Sequence, residues 1–430
     1  MKLKVSENGR FLCYEDETPF FFLGDTAWEL IHRLNREEIE FYLENRSKKG
    51  FNVIQTVILA EKNGLETPNA YGHIPLIDND PLKPYEAYFE HVDWVVKKIN
   101  EYGMFVGLLP TWGDKWNKGM GFGPEIFKPE NAFLYGKYLS DRYANDKIIW
   151  ILGGDRSIEN EVHKDITNAM GRGIKSGKSK DSLVSFHPGG PYPYSNTFHN
   201  EDWLDFNMFQ SSHIGKDRDN YRMIAKDYNL TPPKPCMEDE SCYEEHAMMG
   251  DGWIYPDPEE FYDEYNVRKA AYWSVFAGGM GYTYGANPIW QFWDEEKMEK
   301  VRGVLSTWKK ALDLPGSFQM VHLKKLMESF PFYSRIPDQE MILSEIKGGG
   351  EHVQATRDLN GTYALVYIPL YCKVTLDLSK FKSRQVSCRW YSPVNGEYSP
   401  EVRIENTGVC ELETPHGGPD WVLVLLAVGE

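Results

Sequence analysis

From residue 20 to residue 285 the chain repeats one phrase: a short apolar run ending on small or polar residues, then a longer segment with apolar positions three and four apart. The runs fall at 20–26, 51–59, 105–112, 148–155, 183–188, 204–211, 234–240 and 278–285. Nearly unbroken Val, Ile, Leu and Phe over so short a length is what a strand buried on both faces requires. The segments at 36–49, 85–102, 159–175, 217–228 and 258–276 carry helical spacing, and 295–312 is read as the eighth helix. Alternating strands and helices predict a parallel sheet, and eight strands favour a closed (β/α)8 TIM barrel over an open doubly wound sheet. No GxGxxG or GxxxxGK[ST] follows the first run, so nothing supports a nucleotide-binding variant.

After Pro315 the texture changes. Runs rich in β-branched and aromatic residues at 352–356, 363–368, 373–378, 386–391 and 421–427 are separated by turn signals, among them Asn360-Gly361 and Asn395-Gly396. They predict a small antiparallel β-sandwich domain, residues 336–430, behind a barrel domain, residues 1–335. A chain of 430 residues has room for both, since such barrels take about 250 residues or more.

Composition narrows the class of partner. Hydrophobic residues make up 41% of the chain, enough for a large core, yet no apolar run approaches the roughly 20 residues of a membrane span. A formal charge of −17 argues against nucleic acid or an anionic membrane surface as partner, because binding either needs a concentrated basic face. Met1 to Val5 passes straight into the polar stretch Ser6 to Arg10 without the apolar core of a secretory signal, so a cytoplasmic location is expected. The six cysteines are scattered without a CxxC pair, which predicts free, buried thiols.

In a parallel barrel the chemistry gathers at the carboxyl ends of the strands. The first run ends Gly24-Asp25-Thr26-Ala27-Trp28, the third Thr111-Trp112-Gly113-Asp114 and the fourth Gly153-Gly154-Asp155. The fifth ends at His187, the sixth at Gln210-Ser211-Ser212-His213, the seventh at Glu238-Asp239-Glu240, with Tyr243 just beyond, and the eighth carries Tyr282 and Tyr284. Carboxylates, aromatic rings and neutral hydrogen-bonding groups are the mixture a sugar site needs: flat faces for C–H surfaces, donors and acceptors for hydroxyls, and two carboxylates for acetal chemistry. Carbohydrate is therefore the expected partner. Asp155 follows a strongly apolar run, and its two glycines are read as leaving room for a ligand; the plainer alternative is a helix cap near residues 157–161. Three successive carboxylates at 238–240 repel one another, so at least one must be protonated or held by donors; pattern alone leaves the choice among them open.

Asp25, Trp28, Trp112, His187, Gln210, His213, Tyr243 and Tyr284 are the candidate substrate contacts. His187, His199 and His213 with Asp25 offer a metal-site alternative, but they lack HExxH or any close ligand spacing, and no metal or other cofactor is expected. Ser211 and Ser212 lack the GxSxG setting of a serine nucleophile. A barrel that binds carbohydrate without cleaving it is the remaining alternative.

Taken together, Phe21 to Trp28, Gly50 to Gln55, Trp150 to Asp155, His187-Pro188, Phe209 to His213, Lys234-Pro235 and Glu240-Ser241-Cys242-Tyr243-Glu244 resemble, in order, the apiosidase-like glycoside hydrolases of family 140. The resemblance covers most of the barrel. It implies that Asp155 is the catalytic acid/base and Glu240 the second catalytic carboxylate, a nucleophile in a retaining enzyme, with plant-derived pectic oligosaccharides or glycosides as substrates. It also implies that the C-terminal part is the β-sandwich, of collagen-binding type by label, that follows such barrels. One departure stands out: where the family usually reads Gly-Glu-Pro, this chain has Asp239-Glu240-Ser241.

Overall fold

The computed structural model describes residues 2–119, 121–190, 195–250, 254–256, 260–298 and 303–429. Each of the eight apolar runs forms a strand: β1 (Phe22–Thr26), β2 (Val53–Leu59), β3 (Phe105–Thr111), β4 (Ile148–Arg156), β5 (Val184–Pro188), β6 (Asn207–Gln210), β7 (Cys236–Glu240) and β8 (Gly281–Tyr284). They pair in parallel in the order β5-β4-β3-β2-β1-β8-β7-β6. At the remaining seam the Asp205 amide donates to Val184 O at 2.9 Å, and Ser185 Oγ donates to Phe206 O at 2.7 Å. The sheet is thus a nearly closed barrel. At its amino end a three-stranded antiparallel sheet of Leu3–Val5, Leu12–Tyr14 and Pro19–Phe20 closes the floor. There the Phe20 ring lies 5.4 Å from that of Phe105.

The outer helices are α1 (Arg36–Lys48), α2 (Glu86–Glu101), α3 (Pro129–Arg142), α4 (Glu161–Ser176), α5 (Asn220–Tyr228), α6 (Glu264–Phe276) and α7 (Pro315–Glu328). Their starts are encoded locally. Asn35 and Glu38 form a reciprocal capping box for α1, Asp263 and Asn266 do the same for α6, and Asn160 caps α4. Residues 258 and 259 of the expected helix 258–276 lie outside the described residues.

The expectation of a helix over 295–312 is corrected. Among the described residues of that stretch only one turn, Trp308–Ala311, is helical, residues 299–302 lying outside them; the last barrel helix is α7. Pro315 marks the start of this helix rather than the end of the barrel, since proline at the first helical position has no amide to waste and a φ already suited to the turn.

Beyond α7 lie β9 (Arg335–Pro337), β10 (Gln354–Asp358), β11 (Tyr363–Ile368), β12 (Lys373–Asp377), β13 (Gln385–Tyr391), β14 (Val402–Glu405), β15 (Val409–Glu413) and β16 (Trp421–Ala427). A six-stranded antiparallel sheet runs β9-β10-β11-β16-β13-β14 and a separate two-stranded antiparallel sheet pairs β12 with β15, with an apolar core of their own around Val366, Leu376 and Leu423. This is the antiparallel sandwich. The seam with the barrel is buried: Leu365, Tyr391, Val422 and Val424 join the barrel's own apolar core, and a polar cluster lies among them. Arg268 of α6 donates to Asp420 through Nη2 at 2.7 Å and Nε at 2.9 Å, and Tyr367 OH donates to the same carboxylate at 2.9 Å. Tyr367→Phe is expected to destabilise the protein by about 1.5–3 kcal/mol, the worth of a hydrogen bond to a charged group. Urea unfolding at unchanged m-value measures it, and a loss within error of zero would show that Arg268 alone satisfies Asp420. No described helix is long and apolar enough to cross a membrane.

Candidate active site

At the carboxyl end of β4 three consecutive residues take left-handed backbone conformations: Gly153 at φ +97°, Gly154 at +100° and Asp155 at +54°. The pairing with β5 slips here, Gly153 standing opposite His187 but Arg156 opposite Pro188. A Cβ on Gly153 would lie 2.1 Å from His187 O, and one on Gly154 2.7 Å from the Gly113 amide nitrogen. The glycines therefore do not clear space for a ligand, as the sequence suggested; they allow a bulge that aims Asp155 into the cavity. Nor does Asp155 cap a helix, since Asn160 caps α4.

A second bulge shapes β7. Glu238 pairs with Phe209 and Glu240 with Gln210, so two steps on β7 match one on β6. The amides of Ser211 and Ser212 close on Glu240 O at 3.0 and 3.3 Å. The three successive carboxylates then meet three separate fates. Glu238 is buried as an anchor, accepting from the Ser211 amide at 3.0 Å and Asn220 Nδ2 at 2.6 Å. Asp239 is buried against His187 Nδ1 at 2.6 Å. Glu240 reaches the cavity, its Oε1 3.3 Å from His213 Nε2 and its Oε2 3.3 Å from His187 Nε2. The contact with His187 lacks hydrogen-bond alignment, which leaves Oε2 without a hydrogen-bonding partner among the described residues.

The cavity holds about 260 Å³ at the carboxyl ends of the strands. Asp155 and Glu240 line it together, with Trp28, Trp112 and Tyr243 as aromatic walls and Gln210 and His213 as polar ones. Trp28 and Trp112 lie 5.3 Å apart, and Trp28 Nε1 donates to Tyr243 OH at 3.2 Å, fixing the wall. Trp112 Nε1, Gln210 Oε1, Ser212 Oγ and Glu240 Oε2 are buried polar atoms without hydrogen-bond partners among the described residues. Buried groups of this kind ordinarily have partners, and a ligand rich in hydroxyls supplies them.

Three sequence candidates do not line the cavity. Asp25 and Tyr284 stand opposite one another in the parallel pairing of β1 and β8, so they face the same way, outward to α1. Asp25 is fully buried on Arg46 Nε at 2.7 Å and on Tyr42 OH, while Tyr284 OH donates to Glu244 at 2.5 Å. The expectation that they touch sugar is corrected for both. His187 is fully buried behind the site, its ring 5.3 Å from Trp28 and 5.8 Å from Trp112; it serves Glu240 from the rear. Conversely, the sequence reading missed Glu61, Lys62, His246, Met249, Asn287 and Trp290, all on the cavity wall. Glu61 and Lys62 lie just past the end of β2, where the same end-of-strand rule finds them. Asn287 and Trp290 sit on a one-turn helix after β8 that has no periodicity to read.

The electrostatics separate the two cavity carboxylates. Burial pushes Asp155 above the usual carboxylate range, and the charge of Glu240 pushes it the same way against Arg156. Burial also opposes the charge on Glu240, but His187 and His213 outweigh it and hold Glu240 well below that range. His187 is in turn raised well above an ordinary imidazole: burial works against the charge, and Asp239 and Glu240 overcome it. The two carboxylates are thus biased in opposite directions, Asp155 toward its protonated form even with Arg156 Nη1 3.3 Å from its Oδ2, and Glu240 toward its ionised form. Trp112 shares the cavity with Asp155, whereas Trp150 points away and donates to Ser179 Oγ at 3.4 Å. Among the described residues no group of three or more His, Cys, Asp or Glu is arranged to hold a metal ion. His199, weighed above as a ligand, sits 2.9 Å from Pro232 O.

This fold, with an aromatic cavity at the carboxyl ends of its strands, is that of a glycoside hydrolase acting on a carbohydrate substrate. Residues 6–334 match the family described as "Apiosidase-like, catalytic domain". Residues 336–426 match "Putative collagen-binding domain of a collagenase". The chain belongs to the apiosidase-like family, with the C-terminal module that the second match describes. It is similar to a solved structure described as a glycoside hydrolase, at 34% identity over 99% of this chain and 97% of the other, TM-score 0.89. It is also similar to a family 5 glycoside hydrolase from Bacteroides vulgatus ATCC 8482, at 32% identity over 99% and 93%, TM-score 0.89. No curated protein matches the chain.

Proposed function

We propose that this protein is a retaining apiosidase-like glycoside hydrolase of family 140 that acts on plant-derived pectic oligosaccharides or glycosides, with Asp155 as acid/base and Glu240 as nucleophile. The observation that carries the reading is the opposite electrostatic bias of two carboxylates in one aromatic cavity. Protonated Asp155 donates to the glycosidic oxygen while Glu240 Oε2 attacks the anomeric carbon, forming a glycosyl-enzyme through an oxocarbenium-like transition state. Asp155, now ionised, takes a proton from water, whose oxygen displaces Glu240 and releases the sugar. His187 and His213 keep Glu240 anionic for the attack, and Asp239 holds the His187 ring in place.

The test is hydrolysis of a panel of aryl glycosides and pectic oligosaccharides that includes apiosides, with the first-formed anomer read by NMR. Retained configuration is expected; inverted configuration would remove Glu240 from the role of nucleophile. Cleavage of another sugar but of no apioside would replace the substrate.

The pH dependence follows from the same groups. Activity needs Glu240 ionised and Asp155 protonated. It should fall as pH drops through the depressed value of Glu240 and fall again as pH rises through the elevated value of Asp155, giving a bell in kcat/KM. A profile with a single rising limb would contradict the assignment.

A further inference from the structure

Glu61 differs from every other acid around this site. Asp239 and Glu240 are held by His187 and His213, Glu238 by Ser211 and Asn220, and Glu29 by His32 at 2.9 Å and the Lys62 amide at 3.2 Å. The Glu61 carboxylate lines the same cavity as Asp155 and Glu240, yet among the described residues it accepts no hydrogen bond. Its backbone is fixed on both sides, by the Glu29–Lys62 contact and by the Asn63 amide on Glu61 O at 2.7 Å. The neighbouring Lys62 ammonium stands 5.1 Å over the Trp290 ring, on the same wall. A carboxylate held in place by its backbone, facing an aromatic cavity and given no donor by the described residues is left to take donors from what enters.

We infer that Glu61 is a specificity-determining residue that accepts hydrogen bonds from hydroxyl groups of the sugar bound against Trp28, Trp112 and Trp290. The inference rests on the glycosidase reading and names the acceptor that selects among sugars. Burial, with the charge of Asp155 adding to it, raises Glu61 to about 7, as befits a carboxylate that lacks donors until the ligand supplies them. Because Glu61 touches hydroxyls rather than the reacting bond, it acts mainly on binding, and a polar site rejects analogues that leave its hydrogen-bonding group unpaired.

The experiment compares wild type with Glu61→Gln and Glu61→Ala on the p-nitrophenyl glycoside that wild type cleaves fastest and on its monodeoxy analogues. Binding of the free monosaccharides is read in parallel by quenching of tryptophan fluorescence. Expected for Glu61→Gln is a KM raised about ten- to a hundredfold, the worth of a charge-assisted hydrogen bond, with kcat within about threefold. Removal of one particular hydroxyl should cost wild type a similar factor and the variant nothing further, a coupling that general loss of structure would not produce. Unchanged KM in both variants, while wild type still cleaves, would overturn the role of Glu61 and leave the glycosidase reading intact. Wild type that neither cleaves nor binds any sugar of the panel would overturn both.

Discussion

Asp155→Asn and Glu240→Gln should each cost activity by orders of magnitude while leaving the fold intact, and the pattern of loss should differ between them. Asparagine keeps the shape of the acid but has no proton to give, so cleavage of substrates with poor leaving groups should fall by about 10²- to 10⁴-fold, the usual range for a lost general acid. Dinitrophenyl glycosides, whose leaving group needs no proton, should lose far less in the first step. Glu240→Gln replaces the attacking carboxylate by a neutral, weakly nucleophilic amide, and there the choice of leaving group should bring no relief. Azide separates the roles further. Added to Glu240→Ala it should take the vacated place and give a glycosyl azide of inverted configuration, whereas with Asp155→Ala it should intercept the glycosyl-enzyme and give the retained product. Either variant working at the wild-type rate, with an unchanged circular dichroism spectrum, would remove that residue from the mechanism.

The second large effect concerns a carboxylate that the sequence placed in the site and the structure does not. Asp25 and Arg46 are both fully buried, 2.7 Å apart, with Arg46 Nη1 donating to Leu312 O at 2.9 Å. Asp25→Ala would leave a guanidinium buried without its counter-ion, and removing one member of such a pair costs about 3–5 kcal/mol. Denaturant unfolding of Asp25→Ala should show that loss, while KM of the remaining folded enzyme stays near wild type. The reverse outcome, a raised KM at unchanged stability, would return Asp25 to the sugar.

The eight barrel strands were legible because a parallel strand buried on both faces is apolar along much of its length, and because stretches of helical spacing recur between these runs. In the sandwich, β14 and β15 were not legible. Their residues alternate between exposed and half-buried, so runs such as Val402-Arg403-Ile404-Glu405 carry little apolar weight. The end-of-strand rule led to Asp155, Trp28, Trp112, Gln210, His213 and Tyr243 on the cavity wall, because it depends only on where the apolar run stops, but it left Glu240 undivided from Glu238 and Asp239. It failed for Asp25 and Tyr284 because it says nothing about which face of the strand a side chain takes. The two bulges escaped it as well. They are defined by backbone angles and by the register with a neighbour distant in sequence, and Gly153-Gly154 looks the same in a sequence whether it makes room or makes a turn.

The buried Arg268–Asp420 pair bears on how this enzyme moves. Swinging the sandwich away from α6 would break these hydrogen bonds and bare to water the Leu365, Tyr367, Tyr391, Val422 and Val424 side chains that share the barrel's apolar core. A hinge at this seam is therefore closed off energetically, and adaptation to different substrates is left to the loops above the barrel. What reads along the chain as two modules shares one apolar core, with the sandwich packed on the helix that leads into β8.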